Sequence, residues 1–233
     1  MTGKVHSFQS LGAIDGPGIR FVVFTQGCNL RCGCCHNPDT WKIGDGTEYS
    51  ADEVVKRAVR YKEYFGAEGG ITVSGGEPLL QADFVKEIFE LCRKEGINTC
   101  LDTSGSIMND SVKALLKETD RVLLDIKYTC DSLYREYAGC GMQNVLDFLD
   151  YLNAENIPVT LRQVIIPSLN DNEENILALK EIAGAHSCVD KTELLAFRKI
   201  CQVKYDKMGI DFPFEHIPEP TKDAMAKLNK LLK

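Results

Sequence analysis

The stretch "RFVVFTQGCNLRCGCCHNPDTW", residues 20–41, joins an apolar strand pattern to a dense group of thiols. Residues 20–25 are mostly aromatic or β-branched without polar alternation, which predicts a strand buried on both faces. Four cysteines and a histidine then occupy the nine positions 28–36. Side-chain packing does not require thiols at that density, so we expect this loop to hold a metal or a redox group.

The composition of the whole chain indicates a globular enzyme. It has 233 residues, of which 44% are hydrophobic, enough for one large core or two small ones. The net charge of -7 disfavours a phosphate-binding surface, so we expect no nucleic acid among its partners. The sequence shows neither an apolar signal core nor a long apolar run, and we therefore expect a cytoplasmic protein without membrane contact. No repeat or linker divides it, which predicts a single domain over residues 1–233.

Strand and helix patterns alternate along the chain. Apolar runs typical of strands occupy 20–25, 70–74, 97–103, 121–127, 159–166 and 192–197. Helical patterns lie between or after them, at about 50–65, 84–92, 110–118, 143–154, 173–185 and beyond Thr221. The alternation predicts an α/β fold with parallel strands and outer helices. Periodicity does not distinguish an open sheet from a partial barrel, and the polar stretch 36–50 reads as a long connection.

Charged and glycine-rich residues follow the predicted strands. In parallel folds the carboxyl ends of strands form the ligand site, so these residues are candidates for binding. They are the cysteine loop after the first strand, "SGGEP" (74–78) after the second, Asp102 and Thr103 after the third, Asp125 and Lys127 after the fourth, and Arg162 on the fifth. Their recurrence at one rim predicts a charged ligand across the mouth of the sheet.

Three interpretations of the cysteine loop differ in the thiols that they use. Structural zinc takes four ligands, usually in two separated pairs, and the loop has no second pair with ligand spacing. A dithiol redox motif would use Cys32 and Cys35 and leave Cys28 without a role. The spacing Cys28-x3-Cys32-x2-Cys35 suits a cubane iron–sulfur cluster that leaves one iron open to substrate. We favour the cluster and keep the other two interpretations as alternatives.

This cysteine spacing, followed by "SGGEP", resembles the radical S-adenosylmethionine (SAM) superfamily. The resemblance implies a [4Fe-4S] cluster whose open iron binds the methionine moiety of SAM, and reductive cleavage of SAM to a 5'-deoxyadenosyl radical. "DGPGIR" (15–20), "HNPDTW" (36–41), "CLDTSG" (100–105) and "LLDIK" (123–127) further resemble the pyruvate formate-lyase activating enzymes. That family implies a partial (β/α)6 TIM-like barrel, and an oxidoreductase that abstracts an α-hydrogen from one glycine of a glycyl-radical enzyme.

The resemblance also implies roles for individual residues. Cys28, Cys32 and Cys35 would ligate the cluster, and Asp15 would grip the backbone of the target peptide. A monovalent cation beside the methionine carboxylate would be held by Asp102, Thr103, Asp125 and the Leu123 carbonyl. The remaining contacts to SAM would come from His36, Asn37, Gly75, Gly76, Glu77, Ile126, Lys127 and Arg162.

Two positions depart from the family pattern. Cys34 stands where the superfamily usually has an aromatic residue, and we interpret it as a neighbour of the adenine that does not ligate iron. Ala196, Phe197 and Arg198 replace a Pro-Tyr-His sequence that close relatives tend to have, and we expect Arg198 to donate to the ribose or a carboxylate of the cofactor. This difference leaves the partner open between pyruvate formate-lyase and another glycyl-radical enzyme.

The same resemblance implies the partners of the chain. A glycyl-radical enzyme would be its protein substrate and a flavodoxin or ferredoxin its electron donor, and we expect a monomer. Two other functions remain open. One is an activator of anaerobic ribonucleotide reductase, which shares the amino-terminal pattern, and the other is a non-catalytic metal-binding or redox-sensing protein.

Overall fold

A computed structural model describes residues 1–232, so that Lys233, the last residue of the predicted domain, lies outside the described residues. The strands are β1 (Thr2–Gly12), β2 (Arg20–Thr25), β3 (Thr47–Ser50), β4 (Gly70–Gly75), β5 (Asn98–Thr103), β6 (Arg121–Asp125), β7 (Val159–Ile165) and β8 (Val189–Ala196). The helices are α1 (Ala51–Val59), α2 (Lys62–Phe65), α3 (Ala82–Lys94), α4 (Asp110–Leu116), α5 (Asp131–Tyr137), α6 (Met142–Ala154), α7 (Glu173–Ala185), α8 (Gln202–Met208) and α9 (Lys222–Leu232).

One sheet contains the eight strands, in the order β3-β1-β2-β4-β5-β6-β7-β8. Strand β4 pairs in parallel with β2 and β5, and β7 pairs in parallel with β8. The continuous apolar runs become buried strands, as at Val22, Val23, Ile71 and Val73, none of which is exposed. The predicted α/β class with parallel strands is therefore confirmed.

Two strands and two short helices were not predicted from the sequence. Strands β1 and β3 are antiparallel additions at one edge, where β1 pairs with both β2 and β3. Residues 36–50 were expected as a plain connection, but they contain a 3-10 turn at Pro38–Thr40 and strand β3. Edge strands mix polar and apolar residues, and helices α5 and α8 span two turns, so neither gives a clear periodic signal.

The chain divides into two compact units. The first comprises residues 1–29 and 40–123, and the second comprises residues 30–39 and the chain from 124 onward. The single domain expected from the sequence stays a prediction. Within residues 1–232, no helix is long and apolar enough to cross a membrane.

A buried arginine ties the turn before β2 to the sheet of the first unit. Arg20 is fully buried, and its guanidinium donates to Thr72 Oγ1 at 3.0 Å, Asn98 Oδ1 at 2.8 Å and the Ile71 carbonyl at 2.6 Å. The Thr72 hydroxyl in turn donates to the Asp15 carbonyl at 2.7 Å. The backbone of Asp15 is thus fixed by β4, which Arg20 holds against β5.

We expect Arg20→Met to lower the free energy of unfolding by about 3 kcal/mol, because it leaves several buried acceptors without a donor. Urea unfolding followed by circular dichroism measures the change. The matched control is Arg60→Met at the exposed end of α1, which should stay within about 0.5 kcal/mol of the parent. Equal stability of the two variants would show that the network does not support the sheet.

Candidate functional site

In the first unit, the residues before Cys28 lie directly against the glycine-rich turn after β4. The Glu77 amide donates to the Gly27 carbonyl at 2.8 Å. A Cβ atom on Gly76 would lie 2.1 Å from that same carbonyl oxygen, and Gly75 has a φ of +112°. Both positions therefore favour glycine strongly, for contact at one and for backbone conformation at the other. The structure brings the predicted Gly75–Glu77 turn and the first cysteine to the same place.

The carboxylate of Glu77 is buried in this turn, with the residue only 1% exposed. It accepts hydrogen bonds from the Leu79 amide at 3.1 Å, the Thr103 hydroxyl at 2.6 Å, and both the amide and the hydroxyl of Ser104. Burial raises the pKa of Glu77, and the four donors oppose that shift. Because both carboxylate oxygens are engaged, a ligand at this turn would meet the backbone of Glu77.

Three other predicted residues of the first unit lie at strand ends or in the turn between β1 and β2. Asp102 accepts a hydrogen bond from the Ser74 hydroxyl at 2.7 Å, which links the ends of β5 and β4. Asp15 is half-buried, and a Cβ on Gly12 would lie 2.7 Å from its Oδ2 atom. Leu123 is buried near the end of β6.

In the second unit, the Asp125 carboxylate pairs with two positively charged side chains. It accepts from Lys127 Nζ at 2.6 Å and from Arg162 Nε at 3.1 Å, one on each carboxylate oxygen. Burial alone would raise the pKa of Asp125, but Lys127 and Arg162 outweigh it and hold the pKa below its usual value. The Ile126 amide donates to the Arg162 carbonyl at 2.9 Å, so three of the predicted residues form one cluster with Arg162.

The cysteine loop of the second unit is fixed at its start by the end of α5. The Arg31 amide donates to the Ala138 carbonyl at 3.2 Å, and the Gly33 amide donates to the Tyr137 carbonyl at 2.8 Å. These bonds flank Cys32 on both sides. The carboxyl end of a helix leaves carbonyls unpaired, and here two of them position the loop.

Helix α8 fixes the later part of the same loop. Lys204 Nζ donates to Asn37 Oδ1 at 2.8 Å and to Asp39 Oδ1 at 3.0 Å. The buried hydroxyl of Tyr205 donates to the Cys35 carbonyl at 3.2 Å. These contacts join residues more than 160 positions apart, so no local pattern in the sequence indicated them.

His36 and Arg198 meet, but not through the arginine side chain. His36 Nε2 lies 3.0 Å from the Arg198 carbonyl, and burial lowers the pKa of His36. The Arg198 guanidinium is 53% exposed and pairs with Glu219 at 2.7 Å. The expected donation from Arg198 to a cofactor stays a prediction, while its backbone positions His36.

The donor set of the loop suits an iron–sulfur cluster, because soft thiolates are the preferred ligands of iron in such clusters. Cys28, Cys32, Cys34 and Cys35 are all half-buried. Burial of its thiol raises the pKa of Cys34 to about 12. Among residues 1–232, no three His, Cys, Asp or Glu side chains are placed so that together they could hold a single metal ion.

The chain matches a known superfamily. Residues 22–179 match the family described as the Radical SAM superfamily, which places the chain in it. The crystal structure of a radical SAM methyltransferase from Sphaerobacter thermophilus is similar with a TM-score of 0.66 at 16% identity, covering 91% of this chain and 63% of that one. This likeness concerns the fold alone and supports the partial barrel that the family resemblance implies.

Two relatives narrow the family further. The pyruvate formate-lyase-activating enzyme of Clostridium pasteurianum is 44% identical over 232 residues, covering 99% of this chain and 97% of the relative. The enzyme of the same name from Listeria monocytogenes serovar 1/2a is 41% identical over 237 residues, covering 99% of this chain and 96% of the relative. The chain therefore belongs to the pyruvate formate-lyase-activating enzymes.

We expect Asp125→Asn to lower the free energy of unfolding of the cluster-free chain by about 3 kcal/mol, because Lys127 and Arg162 keep charges without a counter-charge. The lowered pKa of Asp125 means that its pairs stabilise the fold above the unfolded carboxyl value, about pH 4, and lose this effect as the pH falls. Urea unfolding between pH 7 and pH 3 should therefore show a smaller acid loss in Asp125→Asn than in the parent.

The control for this variant is Asp52→Asn, whose carboxylate pairs with Lys56 on the exposed face of α1. It should change stability by less than about 1 kcal/mol at every pH. A similar loss of unfolding free energy in both variants would show that the buried charges of Asp125, Lys127 and Arg162 do not stabilise the fold.

We expect Lys204→Met to loosen the cysteine loop without unfolding the chain. The two bonds are partly exposed, so the global free energy of unfolding should fall by at most about 1 kcal/mol. Amide hydrogen exchange of residues 35–39 should become severalfold faster, as measured by mass spectrometry. Lys207→Met, an exposed lysine of the same helix, should leave that exchange unchanged. Parent-like exchange in Lys204→Met would show that the contact does not restrain the loop.

Proposed function

We propose that the chain activates pyruvate formate-lyase by creating a glycyl radical in it. The observation that carries the proposal is sequence identity of 38% to 44% with pyruvate formate-lyase-activating enzymes across 99% of the chain. When bound, a [4Fe-4S] cluster would supply one electron to SAM, which yields methionine and a 5'-deoxyadenosyl radical that takes the glycine hydrogen. The residues of the chain would bind, orient and enclose these groups.

Cys28, Cys32 and Cys35 are the proposed ligands of the cluster. Their spacing and their thiol chemistry support this assignment. The backbone anchors around Cys32 and Cys35 would limit the positions that the two sulfurs can take. Cys34 is proposed to lie beside the cluster ligands without ligating iron.

The turn at Gly75, Gly76 and Glu77 is proposed to bind the methionine amino group through its backbone. This is supported by the engagement of the Glu77 carboxylate with four protein donors, which leaves backbone atoms as the available contacts. His36 and Asn37 are proposed to line the pocket that binds SAM.

Asp125, Ile126 and Lys127 are proposed to meet the nucleoside, with Arg162 as their anchor. The two cations keep Asp125 ionised, so it would act as a hydrogen-bond acceptor for ribose hydroxyls. The monovalent cation at Asp102, Thr103, Leu123 and Asp125 stays a prediction. So does the grip of Asp15 on the target peptide.

The electron donor is proposed to be a flavodoxin or ferredoxin, which matches the low potential that SAM cleavage requires of a cluster. A monomeric state and a cytoplasmic location likewise stay predictions.

The test is anaerobic. The purified chain is reconstituted with iron and sulfide, reduced, and mixed with SAM and pyruvate formate-lyase, and the glycyl radical is sought by electron paramagnetic resonance (EPR). A doublet supports the proposal. Formation of 5'-deoxyadenosine without a doublet would point to another glycyl-radical partner, and absence of both from an intact cluster would refute the proposal.

A pair of cysteine variants provides the matched control. We expect Cys32→Ala to abolish both the cluster EPR signal and the doublet, because a ligand is lost. Cys34→Ala should retain the cluster and at least about a tenth of the doublet yield. Equal loss in the two variants would show that Cys34 is a ligand.

A further inference from the structure

Tyr128 carries a buried hydroxyl that no protein group satisfies. The residue follows Lys127 and is 2% exposed. Within the part of the chain that the structure describes, its Oη atom is the buried side-chain nitrogen or oxygen without a hydrogen-bond partner. Native proteins rarely leave a buried hydroxyl unpaired, and such an atom often marks a bound group.

The ring of Tyr128 lies against helix α5, whose carboxyl end anchors the cysteine loop. It packs edge-on against Tyr134, with ring centroids 6.2 Å apart, and at a tilt of 47° against Tyr137, with centroids 6.0 Å apart. The Tyr137 carbonyl is the acceptor that fixes Gly33, next to Cys32. Tyr128 is therefore held by the same helix end that positions this cysteine.

The thiols of the cysteine loop act electrostatically on this hydroxyl. Burial, followed by the thiols of Cys34 and Cys32, raises the pKa of Tyr128, and Lys127 acts in the opposite direction. A phenol has an ordinary pKa of about 10, so the Tyr128 hydroxyl is a hydrogen-bond donor at neutral pH.

We propose that the Tyr128 hydroxyl donates a hydrogen bond to the iron–sulfur cluster at the Cys32 sulfur. The inference rests on the proposed function, since it requires a cluster at Cys32. Metal ligation converts a thiol, which is a weak acceptor, into a thiolate, which accepts strongly. The hydroxyl would gain its partner only when the cluster is present.

This hydrogen bond has two consequences of opposite sign. In the cluster-free chain the hydroxyl is a buried group without a partner, so its removal does not destabilise the fold. In the loaded chain it stabilises negative charge on sulfur, and it therefore makes the cluster easier to reduce. A purely structural tyrosine would not combine these effects.

The experiment compares Tyr128→Phe with the parent, both cluster-free and reconstituted under anaerobic conditions. We expect the cluster-free variant to unfold at the same or a higher urea concentration. Its reconstituted form should have a more negative midpoint potential in an EPR-monitored redox titration and should release iron to a chelator severalfold faster. An unchanged potential and release rate, or a less stable cluster-free chain, would overturn the proposal.

Tyr137→Phe is the matched control, because it removes a hydroxyl from the adjacent ring, where Glu136 is its partner. It should keep the parent potential, and an equal shift in both variants would overturn the proposal. The double variant Cys34→Ala/Tyr128→Phe identifies the acceptor. If the shift caused by Tyr128→Phe disappears in the Cys34→Ala background, the acceptor is Cys34 and the assignment to Cys32 fails.

These measurements do not use glycyl-radical formation. A parent chain that assembles no iron–sulfur cluster refutes the proposed function together with this inference. A parent cluster whose potential Tyr128→Phe leaves unmoved refutes the inference alone.

Discussion

The arrangement of the ends of β4 and β5 in the first unit depends on hydrogen bonds to the buried carboxylate of Glu77. It accepts two backbone and two hydroxyl donors, which join the turn after β4 to the end of β5. A carboxylate out of water is costly unless donors surround it, and this one has four. Since its oxygens are used internally, the turn presents backbone atoms beside Gly27 and the start of the cysteine loop.

The second unit organises its strand ends through charge instead. Asp125 is held between Lys127 and Arg162, and the three charges determine one another's side-chain positions. The cysteine loop of this unit has little regular structure of its own, and it is fixed from outside by the end of α5 and by α8. Such anchors restrain the loop that is proposed to carry two cluster ligands.

Much of the fold could be predicted from local pattern. The six apolar runs became β2 and β4–β8 within three residues of the expected bounds, because a strand buried on both faces must be continuously apolar. Edge strands β1 and β3 were missed, since a half-exposed strand tolerates polar residues. Local pattern drew attention to residues that the structure places at strand ends, and their role in a site stays a prediction. The partners of the candidate residues, such as Glu219 for Arg198, could not be predicted.

The sequence by itself determined the order of the six buried strands and of the longer helices, the thiol spacing and the family, because each of these depends on residues that are neighbours along the chain. Only the tertiary structure decided which polar groups have a hydrogen-bond partner within the protein. The pairing of Lys204 with Asn37, and the absence of a partner for the Tyr128 hydroxyl among the described residues, arise from chain segments brought together over long separations. Side-chain hydrogen bonds depend on such spatial neighbours, and the spacing of residues along the chain does not identify them.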